Sequence, residues 1–211
     1  MILLPALVLL VLLIPYAPTS DVENRSWDND WQMYSRNATR EDFSICYGAS
    51  CNNVVKVSLS QAEWQRIREL FSPPPENPLE ERERLADALA LLEQMVGTRT
   101  GTDKDVGGTF EGFWRLGQMD CIDESTNTIT YFTMLHREGL IRRHTLTKPR
   151  TRGYFVFGWP HTSAVIRENA TNDYFVVDSW FHSNGQRPEI IPLAVWKQGW
   201  NPDRKQAQYK K

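Results

Sequence analysis

Two apolar stretches joined by a short polar turn constrain the fold of this chain more than any other feature. Residues 161–168 and 174–180 contain Val, Ile, Phe and Trp, and the segment 169–173 between them is polar. Short runs of β-branched and aromatic residues on either side of such a turn are typical of an antiparallel β-hairpin. A third stretch of this kind, 153–159, comes directly before them. We therefore predict three consecutive strands in this region.

Three helices are predicted before these strands. The first covers residues 62–71, because Ser60 is followed three residues later by a glutamate, which is the pattern of a capping box. The second covers residues 78–96, where apolar residues recur at helical spacing. The third covers residues 121–138 and ends at Gly139, a typical helix-terminating residue. Shorter elements are predicted as strands at 54–57, 140–144 and 190–191 and a helix at 193–200. The order of these elements predicts an α+β fold.

The N-terminal segment predicts export. Residues 1–14 are almost entirely apolar, which is shorter than the ~20 residues that a membrane-spanning helix needs. Small and turn-forming residues follow at 17–20, as they do after the apolar part of a secretory signal, although no Lys or Arg precedes the run. We expect residues 1–20 to be a signal peptide or an N-terminal anchor, in the second case with membrane association through residues 1–17. Residues 21–211 are then a single secreted or periplasmic domain.

Composition excludes some functional classes. The 211 residues are 41% hydrophobic and 24% charged, which is ordinary for a globular protein and argues against disorder. The net charge of −2 offers no basic field for nucleic acid, so we expect no nucleic-acid partner. The locally basic segment 142–152 is interpreted as a solvated edge, with a patch for acidic ligands as the alternative.

The three cysteines divide into a pair and a single residue. Cys46 and Cys51 flank a turn-like tetrapeptide and could close a small disulfide in an oxidising compartment. The alternative is that they are two unrelated buried thiols. If they pair, Cys121 is left as an unpaired thiol in an exported protein, which marks it as a candidate reactive group.

Cys121, His161 and Asp178 are the candidate catalytic residues. A thiol, an imidazole and a carboxylate are the components of a cysteine nucleophile, its base and the group that orients the base. Cys121 opens the third predicted helix, where free N–H groups and the helix dipole lower a thiol pKa and could hold an oxyanion. We therefore expect an activated thiol, provided that the other two residues lie beside it.

The hairpin register decides whether the imidazole and the carboxylate can meet. If the loop centres between Ala170 and Thr171, Asp178 faces Ser163 and lies diagonally to His161 on the same face of the sheet. Centring the loop one residue earlier makes His161 and Asp178 direct partners. The intermediate register places them on opposite faces and would exclude the arrangement.

Several short segments resemble the papain-like, transglutaminase-like superfamily of cysteine enzymes. They are Met119–Cys121 at a helix start, His161–Val165 at a strand start and Phe175–Trp180 on the next strand, in the order Cys, His, Asp. Asp120–Glu124, with Tyr131–Leu135 a few turns later, looks most like the bacterial transglutaminase-like cysteine proteinases, which are periplasmic enzymes that cut protein substrates.

The resemblance covers about residues 110–182 and implies both a fold and a mechanism. The implied core is papain-like, with a catalytic helix packed on an antiparallel sheet and further helices on its N-terminal side. Cys121 would be the nucleophile, His161 the general base and acid, and Asp178 the residue that orients the imidazole. Gln118 is our choice for a second oxyanion donor, because its amide can donate hydrogen bonds.

The resemblance does not lead us to expect a metal site in this chain. Some of the bacterial proteinases bind calcium through acidic residues on both sides of the cysteine. Here Asp120 precedes the cysteine but Ile122 follows it. We therefore expect no metal and no cofactor. Trp114 is the alternative to Gln118 as a residue upstream of the cysteine that could complete the oxyanion site.

The function predicted from the sequence is an exported cysteine hydrolase of the peptidase or amidase type, acting on protein or peptide through a thioester. An acyltransferase or transglutaminase would use the same intermediate. A non-catalytic binding module on the same fold is a further alternative, with a cleft lined by Trp159, Trp180 and Trp200. A metal site is the least favoured alternative, with the ligands His161, Asp178 and His182.

Overall fold

The computed structural model describes residues 34–108, 115–153 and 160–202. The N-terminal segment 1–20 lies outside these residues, as do Trp114, Trp159 and all of the strand predicted at 153–159 except its first residue. Within the described ranges, no helix combines the length and the apolar character needed to cross a membrane.

The described chain is a mixed α+β structure with two antiparallel sheets. β1 pairs with β2 in a two-stranded ribbon, and the other strands form a four-stranded sheet in the order β3-β4-β5-β6. The elements are, in chain order, β1 (Phe43–Tyr47), β2 (Asn53–Val57), α1 (Gln61–Leu70), α2 (Pro78–Thr100), α3 (Cys121–Arg137), β3 (His144–Arg152), β4 (His161–Glu168), β5 (Tyr174–Asp178), β6 (Glu189–Pro192) and α4 (Leu193–Lys197). The α+β prediction is confirmed.

The β4–β5 hairpin has the first of the predicted registers. Ala164 pairs with Val177 and Val165 with Val176, so the loop centres between residues 170 and 171. β5 is shorter than predicted, because it ends at Asp178 rather than at residue 180. This register decides which side chains of the two strands share a face of the sheet, and it places His161 and Asp178 on the same face.

The helices form where their capping residues predict them. The side chain of Ser60 accepts from the backbone of Glu63 at 3.2 Å, and the Glu63 carboxylate accepts from the backbone of Ser60 at 2.9 Å, which is the predicted capping box. α2 continues to Thr100, four residues beyond the prediction, and ends at Gly101 with a φ of 81°. Gly139 follows α3 with a φ of 69°, as predicted for its terminating glycine.

The strand predicted at residues 140–144 is wrong in position. β3 begins only at His144 and covers the basic segment, which forms an edge of the four-stranded sheet. The backbone N–H groups of Arg142 and Arg143 donate to the Glu81 carboxylate, each at 2.9 Å. Because these donors are held by a side chain of α2, they are not available to a neighbouring strand.

α3 is the central helix of the core. Its apolar side chains pack with residues of α2 and of β4, and nearly all of its middle section is buried. The buried residues that meet there include Leu89, Leu92, Ile129, Leu135, Ala164 and Ile166. On its other side α3 contacts β1, a strand that the sequence analysis did not predict. The Asn127 side chain bonds both the N–H and the carbonyl of Cys46, each at 2.8 Å, and so joins helix and strand.

A disulfide closes the loop between β1 and β2. Cys46 and Cys51 are bonded, with their Cα atoms 4.6 Å apart, so the first of the two alternatives for these cysteines holds. The loop that they enclose, residues 47–50, contains three residues with positive φ, Gly48, Ala49 and Ser50, and Cys51 itself is a fourth. Successive residues of this kind turn their N–H groups toward one side of the loop.

These N–H groups bind the start of α3. Ala49 and Cys51 donate to the Asp123 carboxylate at 2.8 and 2.6 Å, and Ser50 donates to Asp120 at 3.0 Å. Both acidic residues flank the position at which α3 begins. The disulfide loop therefore holds the N-terminus of the central helix.

Replacing Cys46 and Cys51 by serine should lower the free energy of unfolding by about 2 kcal/mol, because the unfolded chain is no longer constrained by a six-residue loop. Denaturant unfolding measures the loss. A reductant should destabilise the wild-type protein by a similar amount and leave the double variant unchanged. Equal destabilisation of both proteins by the reductant would show that the disulfide is not the source of the stability.

Candidate active site

Cys121 is the first residue of α3 and carries a free, half-buried thiol. The helix begins here because Asp120 caps it, accepting from the N–H groups of Ile122 and Asp123 at 3.0 and 2.9 Å. The Asp123 carboxylate bonds back to the N–H of Asp120 at 3.1 Å and completes a capping box. This capping leaves the N–H of Cys121 next to its own sulfur, where it favours the thiolate.

The thiol is nevertheless harder to ionise than the sequence predicts. The pKa of Cys121 is raised to about 12, mainly by burial and in addition by the nearby carboxylates of Asp120 and Asp178. A hydrogen bond from the N–H of Thr162 acts in the opposite direction but is outweighed by burial. The expectation of a thiol pKa lowered by the helix start is therefore wrong. Loss of the thiol proton at neutral pH needs a base beside the sulfur.

His161 and Asp178 are joined by a buried hydrogen bond. The imidazole Nε2 lies 2.8 Å from the Asp178 Oδ2, and the two residues are 7% and 1% exposed. The prediction that they lie on one face within hydrogen-bonding reach is confirmed. Because a carboxylate only accepts, Nε2 carries the proton, and Nδ1 of a neutral ring is then an acceptor.

The three predicted residues converge at the start of β4. The N–H that bonds the Cys121 sulfur belongs to Thr162, the residue that follows His161. The charge of Asp178 also acts on the Cys121 thiol. α3 also packs against β4. Sulfur, imidazole and carboxylate thus belong to one cluster.

Aromatic rings surround the imidazole. The ring centres of Trp180, Phe181 and Trp196 lie 4.9, 5.5 and 5.6 Å from that of His161. The indole N–H of Trp196 donates to the Asp178 Oδ2 at 2.7 Å. Sequence reasoning missed Trp196. The one available signal was general, since a buried indole N–H needs an acceptor.

The arrangement does not support Gln118 as an oxyanion donor. Its side chain is buried, and its amide nitrogen donates to the Asp105 carboxylate and to the carbonyl of Val106, the latter at 3.2 Å. The amide hydrogens are therefore held by the segment that precedes the helix and are not directed toward the thiol. The N–H of Cys121 is the donor that the geometry offers instead.

His182 lies outside the cluster of sulfur, imidazole and carboxylate. Its Nε2 is 3.2 Å from the Glu189 Oε1, whereas His161 is bonded to Asp178. In the three described segments, no group of His, Cys, Asp or Glu side chains has the arrangement of a metal site. The alternative with His161, Asp178 and His182 as joint ligands is not supported.

A separate cavity of about 330 Å³ lies at the other end of the sheet. Arg142 and Arg143 line it, as the alternative of a patch for acidic ligands would require, but so does the carboxylate-bearing Glu81. Glu81 is bonded to His144, which pairs with Glu168 at the far end of β4 from the imidazole cluster. At ~3.3 Å per strand residue, this separates the cavity from the cluster by roughly 23 Å.

Three buried carboxyl groups, one of them on the first turn of α3, lie close enough for their charges to interact. Burial raises the pKa of Glu93 to about 8 and that of Asp105 to about 6. The pKa of Glu124 is raised well above its usual range by burial and by the charges of the other two. Glu93 accepts from the N–H of Gly185 at 2.8 Å, which connects α2 to the chain after β5. At neutral pH Glu93 and Glu124 are largely protonated and act as polar packing groups.

No family model matches the chain, and no curated protein or solved structure is significantly similar to it. The interpretation of the cluster therefore rests on its own geometry.

Glu93→Gln should remove a pH dependence of stability. The unfolded glutamate ionises near pH 4.5, whereas the folded one keeps its proton up to about pH 8, so unfolding releases a proton between these values. The wild-type protein should therefore lose stability as the pH rises through this window, by up to about 1.4 kcal/mol per pH unit from this residue.

The glutamine variant should lack that part of the slope and should be the more stable protein at pH 8. Denaturant unfolding at pH 5, 6.5 and 8 measures the difference. Glu69→Gln, at an exposed position of α1, is the matched control and should follow the wild type. Identical slopes for Glu93→Gln and the wild type would contradict the prediction.

Proposed function

We propose that the protein is an exported cysteine hydrolase of the peptidase or amidase type, with Cys121 as nucleophile, His161 as base and acid, and Asp178 as the orienting group. The observation that carries the proposal is the buried hydrogen bond of 2.8 Å between His161 and Asp178, next to a sulfur bonded by the N–H of Thr162. A histidine that only packs in the core and bonds a carboxylate would not need a free thiol beside it, nor would that thiol need to lie at the start of a helix.

The first step couples proton transfer to attack. His161 Nδ1 accepts the proton of the Cys121 thiol while the sulfur attacks the carbonyl carbon of a substrate amide. Burial makes spontaneous ionisation of this thiol unfavourable, so the base has a necessary role. The tetrahedral intermediate carries its negative charge on the former carbonyl oxygen. The N–H of Cys121, at the first position of α3, can donate to that oxygen.

The second step releases the amine and leaves a thioester. The protonated imidazole gives its proton to the amine as the carbon–nitrogen bond breaks. Water then attacks the thioester with His161 as base, which returns the free thiol and a carboxylic acid. Asp178 stays ionised throughout and holds the ring in place through Nε2. An amine in place of water would give acyl transfer from the same thioester.

The architecture supports a papain-like, transglutaminase-like core. α3 carries the thiol at its first residue and packs on an antiparallel sheet whose adjacent strands β4 and β5 carry His161 and Asp178. The helices α1 and α2 precede this unit in the chain. The Cys46–Cys51 disulfide supports a secreted or periplasmic location, because such bonds persist in oxidising compartments.

One observation favours a second candidate, a non-catalytic binding module. The pKa of Cys121 is raised to about 12 by burial, which is expected of an inert buried thiol. In that case the partly exposed rings of Trp180, Phe181 and Trp200 would supply the binding surface. The two candidates differ in whether His161 accelerates the reaction of the thiol.

Iodoacetamide labelling distinguishes them at a single site, because the other two cysteines are bonded to each other. Wild-type protein should be alkylated at pH 7 at least ~10-fold faster than His161→Ala, since the imidazole is the only proton acceptor assigned to the thiol. Cys121→Ala should not be labelled. Mass spectrometry of the intact protein measures each rate.

His182→Ala is the matched control, because this imidazole is bonded to Glu189 and not to Asp178. It should be labelled as fast as the wild type. Equal labelling rates for wild type and His161→Ala would reject the hydrolase in favour of the binding module.

A further inference from the structure

Trp196 belongs to the short helix α4, which follows β6 at the edge of the four-stranded sheet. The side chain is 0% exposed and packs in a small apolar cluster with Val165 and Val176. Its ring is covered by the Arg152 guanidinium at 4.5 Å, and the same guanidinium donates to the Trp196 carbonyl. The indole is thus held by contacts from both neighbouring strands of the hairpin and from β3.

The indole N–H of Trp196 donates to a carboxylate oxygen of Asp178, and the imidazole of His161 donates to the same oxygen. Trp196 Nε1 lies 2.7 Å from the Asp178 Oδ2, and His161 Nε2 lies 2.8 Å from the same atom. The rings of Trp196 and His161 are also in contact, with centres 5.6 Å apart. Two donors converge on one carboxylate oxygen that is closed to water.

We propose that Trp196 is a positioning residue for the reaction of Cys121, acting through Asp178. This inference rests on the proposed hydrolase function. It adds to the site a residue of α4, the helix that follows the last strand of the sheet. The indole N–H fixes the Asp178 Oδ2, and the fixed oxygen sets the plane and the tautomer of His161. A ring held through Nε2 keeps Nδ1 as the nitrogen that accepts the thiol proton.

Two physical arguments support this role. An indole N–H does not titrate in the range where proteins fold, so it holds Oδ2 equally well before and after His161 takes the thiol proton. Sharing Oδ2 between two donors also limits how strongly Asp178 can hold the protonated ring, and a ring held less strongly gives its proton to the leaving amine more easily.

Trp196→Phe tests the inference, because it keeps an apolar ring and removes the N–H. The rate of Cys121 alkylation by iodoacetamide is measured from pH 5 to 10, beside wild type and His161→Ala. The variant should react about 10-fold more slowly at pH 7 and should have a pH profile displaced toward that of His161→Ala. Nitrogen-15 spectra should show some proton on Nδ1 of His161, where wild type carries it on Nε2.

Trp64→Phe is the matched control, since Trp64 is a buried tryptophan of α1 whose indole N–H has no hydrogen-bond partner in the part of the chain that the structure describes. It should keep the wild-type rate, profile and tautomer. If Trp196→Phe also keeps all three while His161→Ala is slow, the positioning role is rejected and the hydrolase stands. If wild type and His161→Ala react equally, the hydrolase itself is rejected.

The wild-type protein offers a measurement that does not depend on a folded variant. The indole N–H resonance of Trp196, assigned among the eight tryptophans, should shift with pH at the same midpoint as the His161 imidazole, because both share one acceptor. A shared midpoint supports the inference. An indole resonance that does not respond to the imidazole titration overturns it.

Discussion

The hydrogen bond between His161 and Asp178 is the interaction on which the site depends. It exists because the β4–β5 hairpin has one register, in which Ala164 faces Val177 and the two polar residues share a face. A slip of one residue would turn Asp178 away from the imidazole and bury an unpaired carboxylate. Since Val165 and Val176 lie on this same face and pack against Trp196, the packing that fixes the register is also the packing that places the second donor on Asp178.

The start of α3 combines two electrostatic demands that oppose each other. Asp120 and Asp123 are needed to cap the helix and to bind the N–H groups of the disulfide loop. The Asp120 carboxylate also disfavours a thiolate on Cys121, and burial disfavours it more. The structure therefore pairs a well-anchored helix with a thiol whose pKa is raised, although the thiol lies at the start of that helix.

The sequence could predict what depends on local pattern. Alternation and the polar turn predicted the hairpin and left three registers open for it, and Ser60 predicted the start of α1, because these signals lie within a few residues of what they determine. Long-range contacts could not be predicted in this way. The Glu81 carboxylate displaces the start of β3, Asp105 engages the amide of Gln118, and the indole of Trp196 reaches Asp178 from after β6. Each is a tertiary contact between different segments of the chain, and no local sequence pattern predicts such a contact.

The loop closed by Cys46 and Cys51 shows how two distant segments of this sequence must vary together. Its N–H groups bind the carboxylates of Asp120 and Asp123 with four residues between the cysteines, and Asn127 fixes where the loop leaves β1. Insertions in this loop would displace these N–H groups, so we expect them to need compensating changes around Cys121. A search pattern that joins two cysteines five positions apart to a later Asp-Cys-x-Asp would recognise distant relatives by this shared tertiary contact, even where the rest of their sequences has diverged.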